Sequence, residues 1–227
     1  MSQIKKRVSA TVFTTNRLEA LADGVFAIVM TLLVLELSIP VIGESSVNTE
    51  LPRKLLELWP KLLIYMLSFV ILGTGWVNHH VMFYYITRSD GKLAWMNIIL
   101  LMFVALIPFS TSLLGEYIHS QVAVAVYGIN LLLIITGALL MWIYITGKPT
   151  LADRAIDAEV AIRRRIMYLV CCSFYVLGIG ISFISPIASV CIYALTTLLT
   201  IIITWKDSHG FLSMVFVRMG RKSKKKP

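Results

Sequence analysis

One stripe of the chain's first apolar segment combines branched apolar side chains with a hydroxyl group. The stripe is spaced at i, i+3, i+4 and i+7, which places its members on one face of an α-helix: Ile28, Thr31, Leu32 and Leu35. Around a symmetry axis, isoleucine and leucine rings would make a narrow dewetting constriction, and threonine hydroxyls would replace part of an ion's hydration. Spacing alone leaves a plainer alternative open, because any apolar helix offers such a stripe.

Ionisable residues flank this stripe within the same segment. The uninterrupted apolar part, residues 24–35, has only 12 residues, whereas a lipid-exposed helix needs about 20. The span must therefore include the ionisable residues at its ends, Arg17, Glu19, Asp23 and Glu36. Ionisable groups near membrane depth are retained where they meet protein partners or water. A helix that faces a central aqueous axis satisfies this condition.

Further polar residues are predicted at the same depth on two other segments. His79 and His80 lie in the second apolar segment, and Asn97 begins the third. We expect a linkage from Arg17 to Asp23, joined by one histidine and Asn97, because it would satisfy buried donors and acceptors. For Asp23, helix capping is an equal alternative to this network, and for the histidines the alternatives are packing and proton sensing.

The first segment resembles the signature of the transmembrane-protein-175 family, in which R-x-x-x-F-S-D is followed by G-V-F-A-I and a T-L-L-V-L run. The positions that match are Arg17, Asp23, 24–28 and 31–35. The W-x-x-H-H stretch at residues 76–80 extends the likeness to the second segment. Leu21 and Ala22 stand where the family pattern has Phe and Ser, so a hydrogen bond from that serine is not carried over.

This resemblance implies a symmetric homotetramer of six-helix subunits that conducts potassium and other monovalent cations through a central pore. Carried over by position, Ile28, Leu32 and Leu35 are hydrophobic rings of the first helix, and Thr31 is the polar layer tied to selectivity. The permeant K+ would pass near Ile28 and Thr31. The resemblance implies neither a fixed metal site nor a cofactor. It also implies a structural network around the R-x-x-x-F-S-D motif.

Composition indicates that membrane-spanning helices hold these residues in place. The 227 residues are 58% hydrophobic and 15% charged, with a mean hydropathy of +0.81, whereas a soluble domain is about a quarter charged. We therefore predict an all-α, polytopic membrane protein with a single membrane domain, because open strands cannot satisfy their backbone in lipid. Six transmembrane helices are expected at residues 19–40, 61–86, 93–115, 121–146, 166–185 and 187–205.

Prolines and an amphipathic segment predict how these helices are interrupted and joined. Pro108 lies inside the third span and is expected to kink it. Ser185 and Pro186 predict a tight hairpin between the fifth and sixth spans. Residues 45–59 are amphipathic and are expected to form a short helix at the outer surface.

The basic residues predict the orientation of the chain. Of the 21 Lys and Arg residues, 18 fall on the side of both termini, and the other side holds only Arg53, Lys54 and Lys61. Because positive residues favour cytoplasmic loops, both termini are predicted inside. The family resemblance implies that the membrane is a bacterial plasma membrane. Residues 1–205 form the channel domain, and residues 206–227 are a basic amphipathic tail at the anionic inner leaflet. The predicted partners are further copies and the lipid bilayer; nucleic acid is not one.

Two other functions are weighed against a channel. A proton-coupled secondary transporter would use Asp23 and a histidine as a relay, but it needs a midplane site, typically with broken helices and repeats. Only Pro108 predicts such a break. An enzyme is not expected, because the sequence has no H-E-x-x-H motif, multi-histidine cluster or Ser-His constellation at membrane depth. A T-V-G-Y-G filter loop is also missing, so a side-chain-lined pore with modest discrimination is expected.

Overall fold

A computed structural model describes residues 14–43, 47–152 and 156–223, and it describes side chains as far as residue 205. The basic residues of the N-terminus that entered the prediction of orientation lie outside this part of the chain. The described residues contain eight α-helices: α1 Thr15–Leu32, α2 Val47–Glu57, α3 Trp59–Tyr84, α4 Gly91–Ala105, α5 Ile107–Glu116, α6 Gln121–Thr146, α7 Ala158–Ser182 and α8 Pro186–Ser223.

Six helical segments are long and apolar enough to cross a membrane, which confirms the all-α prediction and its number of spans. They are Thr15–Glu36, Trp59–Tyr84, Gly91–Glu116, Gln121–Thr146, Ala158–Ser182 and Pro186–Trp205. The remaining helix, α2, contacts α3 and has no buried residue. It is the short helix that the amphipathic segment predicts.

The first span differs from its predicted bounds, residues 19–40, at both ends. Helix α1 begins at Thr15, so that the polar residues before the apolar stripe belong to its first turns. The α-helix ends at Leu32 and continues as a 3₁₀ turn, Leu33–Glu36. Residue 39 precedes Pro40, which disfavours helical geometry there. Helices commonly tighten into 3₁₀ geometry in their last turn.

The two proline predictions are confirmed. The third span is interrupted at Leu106, between α4 and α5, because Pro108 lacks an N–H group and its ring clashes with the carbonyl four residues earlier. The amide of Leu106 bonds instead to the carbonyl of Phe103 at 3.2 Å. Helix α7 ends at Ser182 and α8 begins at Pro186, so the last two spans form a tight hairpin.

The helices that contain the fifth and sixth spans are longer than hydropathy predicts. Helix α7 begins at Ala158, eight residues before the predicted start at 166, and so includes the basic run 163–165. Helix α8 continues beyond residue 205 to Ser223. Hydropathy marks only the apolar part of a helix, whereas backbone hydrogen bonds extend the same helix into water or the interface.

Close packing of α6, α7 and α8 forms one half of the bundle. The ring of Tyr193, which is fully buried, lies between Gly128 of α6 and Gly178 of α7. A side chain at either glycine would overlap this ring. Small residues let membrane helices approach closely in this way. The first span packs on the other half, against α3 and α4.

A polar cluster fixes the start of α4 to the end of α6. Asp90 caps α4 by accepting a hydrogen bond from the amide of Leu93 at 2.9 Å. Its other oxygen accepts from Tyr144 at 2.7 Å and from Lys148 at 2.6 Å. Burial alone would raise the pKa of the Asp90 carboxyl, but the hydrogen bonds from Lys148, Leu93 and Tyr144 outweigh burial and lower this pKa to about 2.

Candidate functional site

Helix α1 has one face buried in its own subunit and one face left uncovered. The buried face repeats at helical spacing: Thr15, Leu18, Ala22, Phe26 and Val29. The opposite face carries the four residues of the stripe. Thr31 is exposed, and Ile28, Leu32 and Leu35 are 60%, 42% and 72% exposed. The structure therefore brings all four predicted residues to one surface, which a single copy of the chain leaves open.

The 3₁₀ turn changes how Leu35 aligns with the rest of the stripe. Side chains at i and i+3 eclipse in a 3₁₀ helix, whereas they are offset in an α-helix. Leu32 already has 3₁₀-like dihedral angles, φ −65° and ψ −28°. This geometry brings Leu35 closer to alignment with Leu32 than a continued α-helix would, while Leu33 is fully buried. The uncovered face thus ends at two exposed leucines.

The hydroxyl group of Thr31 is oriented by its own helix. Its Oγ1 donates a hydrogen bond to the carbonyl of Ile28 at 2.7 Å. Because the proton points back to the helix, the two oxygen lone pairs are left for other donors or for a cation. A hydroxyl held in this way offers an acceptor to anything that passes along the uncovered face.

Two polar contacts join α1 to α3 beside this face. The indole Nε1 of Trp76 donates to Oδ1 of Asp23 at 2.8 Å. One turn towards the start of α1, Oε1 of Glu19 lies 3.0 Å from Nδ1 of His80. The rings of Trp76 and His80 stack with centroids 6.0 Å apart. The two contacts, Asp23 with Trp76 and Glu19 with His80, lie one helical turn apart between antiparallel helices; we call them the two rungs.

A third contact lies deeper and connects α3 to α4. The Nε2 of His79 is 2.8 Å from Oδ1 of Asn97, and both side chains are buried. The amide nitrogen of Asn97 donates to the carbonyl of Leu18 at 3.5 Å. Since that nitrogen is the donor, Oδ1 is the acceptor and His79 Nε2 carries the proton. His79 also stacks on Phe83 at a centroid distance of 4.4 Å.

The predicted network is only partly assembled. His79 and Asn97 meet, but among the described residues Arg17 and Asp23 form no ion pair. Arg17 and Asp23 are six positions apart on one helix. This spacing corresponds to about 240° of rotation and about 9 Å of rise, so the two side chains point away from each other. The carboxylate of Asp23 accepts from Trp76 instead. The two histidines have different partners.

The contacts of Trp76 and Glu19 were missed in the sequence, although a signal for them exists. Glu19 and Asp23 are four residues apart on α1, and Trp76 and His80 are four residues apart on α3. Two i, i+4 pairs on antiparallel helices can face each other as two rungs. Matching these spacings would have paired Asp23 with Trp76.

A polar cavity of about 210 Å³ lies at the C-terminal end of the first span. The 3₁₀ turn contributes Glu36 to its wall, and α5 contributes hydroxyl groups, including that of Thr111. Lys61 of α3 and Glu116 of α5 form an ion pair across it. Polar side chains therefore bound the apolar stripe at both ends.

Comparisons with known proteins find one family and several relatives that are similar to this chain. The family described as endosomal/lysosomal potassium channel TMEM175 matches residues 17–108, which include all but the first two residues of α1, and also Trp76 and Asn97. A protein named as a potassium channel from Streptomyces collinus is 35% identical over 175 residues, 75% of this chain and 84% of that protein. Another so named, from Chamaesiphon minutus, is 42% identical over 182 residues, 78% of this chain and 88% of its own length.

A solved structure has the same fold. The crystal structure of a lysosomal potassium-selective channel TMEM175 homolog from Chamaesiphon minutus superposes with a TM-score of 0.75. It is 33% identical to this chain, and the match covers 84% of this chain and 97% of the solved one. Identity at this level over most of both sequences, together with the shared helical bundle, shows that this chain belongs to the TMEM175 family.

Proposed function

We propose that the chain is one subunit of a passive potassium channel, in which four copies surround a central axis and the uncovered face of α1 lines the pore. The observation that carries this proposal is that Ile28 and Leu35 are 60% and 72% exposed on a helix whose other face is packed. One such helix encloses nothing, so a pore needs several copies around a symmetry axis. The relatives named as potassium channels support K+ as the permeant ion.

The polar groups beside the uncovered face of α1 indicate that this face lies at the axis of an oligomer and does not contact lipid. Asp23 is exposed, and the side chain of His80 is 57% exposed. Ionisable side chains at membrane depth are costly in lipid and are normally directed to the bundle interior, to a partner or to water. Subunit contacts around an axis would cover these groups and leave the stripe in front of the pore.

Conduction then follows from the chemistry of the stripe. Rings of Ile28, Leu32 and Leu35 narrow the pore and favour dewetting, which closes it to ions. Movement of the four helices apart would admit water and K+. Between the isoleucine and leucine layers, the Thr31 oxygens are free to accept, since their protons are donated to Ile28 carbonyls. They would replace part of the K+ hydration shell and give modest discrimination among monovalent cations.

The orientation of the subunit follows from its basic residues. With 18 of the 21 Lys and Arg residues on one side, that side is cytoplasmic and contains both termini. The membrane is a bacterial plasma membrane. Residues 1–205 act as one channel domain, and residues 206–227 anchor the end of α8 at the anionic inner leaflet. The rungs of Asp23 and Glu19 then lie towards the cytoplasm, and the cavity beside Glu36 towards the outside.

A proton-coupled transporter is the second candidate, because Glu19, Asp23 and His80 gather titratable groups on one surface. These groups lie near one end of α1, however, and α1 is continuous past them from Thr15 to Leu32. A transporter of this kind places its site near the midplane, typically at broken helices. The channel is therefore the better supported function.

Current across planar bilayers at equal pH on both sides tests the proposal. We expect a passive K+ current that follows the applied voltage, whereas a coupled transporter needs a proton gradient. Ile28→Ala should raise the current about tenfold, because a smaller side chain lowers the dewetting barrier by about 1.4 kcal/mol. Leu195→Ala is the matched control, since Leu195 is 56% exposed on the sixth span. Equal currents in both variants would exclude α1 as the pore helix.

A further inference from the structure

A second cavity lies inside each subunit, behind the pore helix. It has a volume of about 80 Å³ and is bounded by α1, α3, α4, α6, α7 and α8. Phe26 of α1 forms the wall nearest the stripe, since its ring points into the bundle and is only 3% exposed. This cavity is separate from the uncovered face, because Phe26 and Ile28 point to opposite sides of the same helix.

The lining of this cavity determines the class of molecule that fits it. Its surface is mainly apolar, with Leu131, Ile134 and Ile135 of α6 as the principal wall. Of the described residues that line it, none is Asp, Glu, Lys or Arg. An ion would lose its hydration there without a counter-charge, which is strongly unfavourable. The cavity therefore suits a neutral molecule with an apolar body.

One buried hydroxyl proton in the lining lacks an acceptor. Tyr168 is 1% exposed. Arg164 lies beside its hydroxyl and can donate a hydrogen bond to the oxygen, but a guanidinium cannot accept one, and no described residue accepts the Tyr168 proton. Acceptors are also present, because Thr74 and Thr197 donate their protons to carbonyls of their own helices. Leaving a buried donor without an acceptor is unfavourable, so a ligand whose hydroxyl oxygen accepts this proton would be stabilised.

We propose that this cavity is a regulatory site for a small neutral alcohol. The volume of about 80 Å³ is roughly half that of the apolar cavity of about 150 Å³ that binds benzene, which limits the ligand to about three or four heavy atoms. The alcohol oxygen accepts from Tyr168 and its proton goes to a threonine oxygen. Its carbon atoms contact the α6 wall and the ring of Phe26.

Occupation of the cavity restricts the pore helix. Phe26 faces Gly75 of α3 closely enough that a Cβ there would lie 3.5 Å from the phenyl ring. The ring of His79, one turn further along α3, has its centroid 6.0 Å from that of Phe26. The cavity is thus the free space into which Phe26 can move when α1 shifts, and a bound alcohol removes that space. Binding is independent of the proposed channel function, whereas the effect on current rests on it.

The binding site is tested directly with 2-bromoethanol, whose bromine is located by anomalous X-ray scattering from crystals of the full chain. We expect a bromine peak between Phe26 and the α6 wall. Ala138→Leu fills the same space with a larger side chain and should abolish the peak. Gly75→Ala adds a methyl at an ordinary contact distance and provides a second, milder filling. The proposed site is refuted if the wild type shows no bromine peak or only water in the cavity. It is also refuted if the peak persists in both variants.

The regulatory effect is tested by the K+ current in the presence of 1-propanol. We expect the wild-type current to fall, and each filled variant to keep its own alcohol-free current. Tyr168→Phe should raise the alcohol concentration for half inhibition about three- to tenfold, as loss of one neutral hydrogen bond predicts. Equal inhibition of all variants would place the alcohol in the bilayer and overturn the effect. A bromine peak with no effect on current would refute the regulation alone, and absence of any current would refute the channel.

Discussion

The indole of Trp76 donates a hydrogen bond to the carboxylate of Asp23 at 2.8 Å, and this bond ties α3 to the helix that carries the stripe. It lies on the boundary between the packed face and the uncovered face of α1. Because Trp76 is 40% exposed, the bond is only partly shielded. Together with the buried face of α1, it holds the helix in the rotation that leaves the stripe uncovered.

Loss of this bond should weaken the attachment of α1. Trp76→Phe keeps an aromatic ring on His80 but removes the donor, and we expect the free energy of unfolding to fall by about 1 kcal/mol, since partial exposure screens a charged hydrogen bond. Thermal unfolding in detergent measures the change. Trp95→Phe is the control, because Trp95 is 65% exposed. If both variants unfold alike, the Trp76 bond does not stabilise the bundle.

The buried pair of His79 and Asn97 should show coupling in a double-mutant cycle. Asn97→Leu leaves the His79 N–H without an acceptor, so we expect a loss of about 1–3 kcal/mol. His79→Phe and Asn97→Leu together remove both polar partners and should cost less than the two single changes added. Unfolding of all four proteins in the same detergent gives the coupling. Additive losses would show that the 2.8 Å contact contributes nothing of its own.

The six spans and their breaks could be predicted from sequence, because hydropathy and proline act on local helix structure and need no knowledge of tertiary contacts. Pro108 is an example, since its missing N–H group interrupts a helix whatever surrounds it. The contacts of Asp23 could not be predicted in the same way. Which side chains meet depends on the rotation of each helix about its axis, and apolar spans set this rotation only weakly. The start of α7 at Ala158 was missed because its first turns are polar.

The Asp90 cluster predicts how stability depends on pH. The pKa of the Asp90 carboxyl in the folded protein is about 2, below its ordinary value of 3.8. A lowered folded pKa stabilises the fold above the unfolded pKa, and this contribution disappears as the pH falls through the folded value. We expect Asp90→Asn to lose about 1 kcal/mol at pH 6, allowing for solvent screening, and to lose progressively less relative to wild type from about pH 4 to pH 2.

The matched control for Asp90 is Asp157. It occupies the equivalent position before α7 but makes no side-chain capping bond. Asp157→Asn should therefore change the unfolding temperature little at any pH. A constant deficit of Asp90→Asn across the whole range would contradict the prediction, because the stabilisation would then not depend on the charge of the carboxyl.

The glycines around Tyr193 should not tolerate even one methyl group. Gly178→Ala would place a Cβ inside the contact distance of the Tyr193 ring, and we expect a loss of about 1–3 kcal/mol from overpacking. Gly180 lies on the same helix with nothing within 4 Å of an added Cβ. Gly180→Ala should instead be neutral or stabilising, because alanine favours helix. Equal unfolding temperatures for the two variants would contradict the close packing.

The Thr31 hydroxyl provides the sharpest test of the proposed polar layer. Thr31→Val keeps the branched shape but removes the oxygen that now donates to Ile28 at 2.7 Å. If this oxygen meets the permeant ion, its loss should reduce K+ current about tenfold, equivalent to about 1.4 kcal/mol of lost ion stabilisation. Thr31→Ser keeps the oxygen and should retain most of the current. Because Thr31 is exposed in the single subunit, neither change should affect folding of the monomer. A valine variant that conducts like the wild type would show that K+ does not pass this hydroxyl.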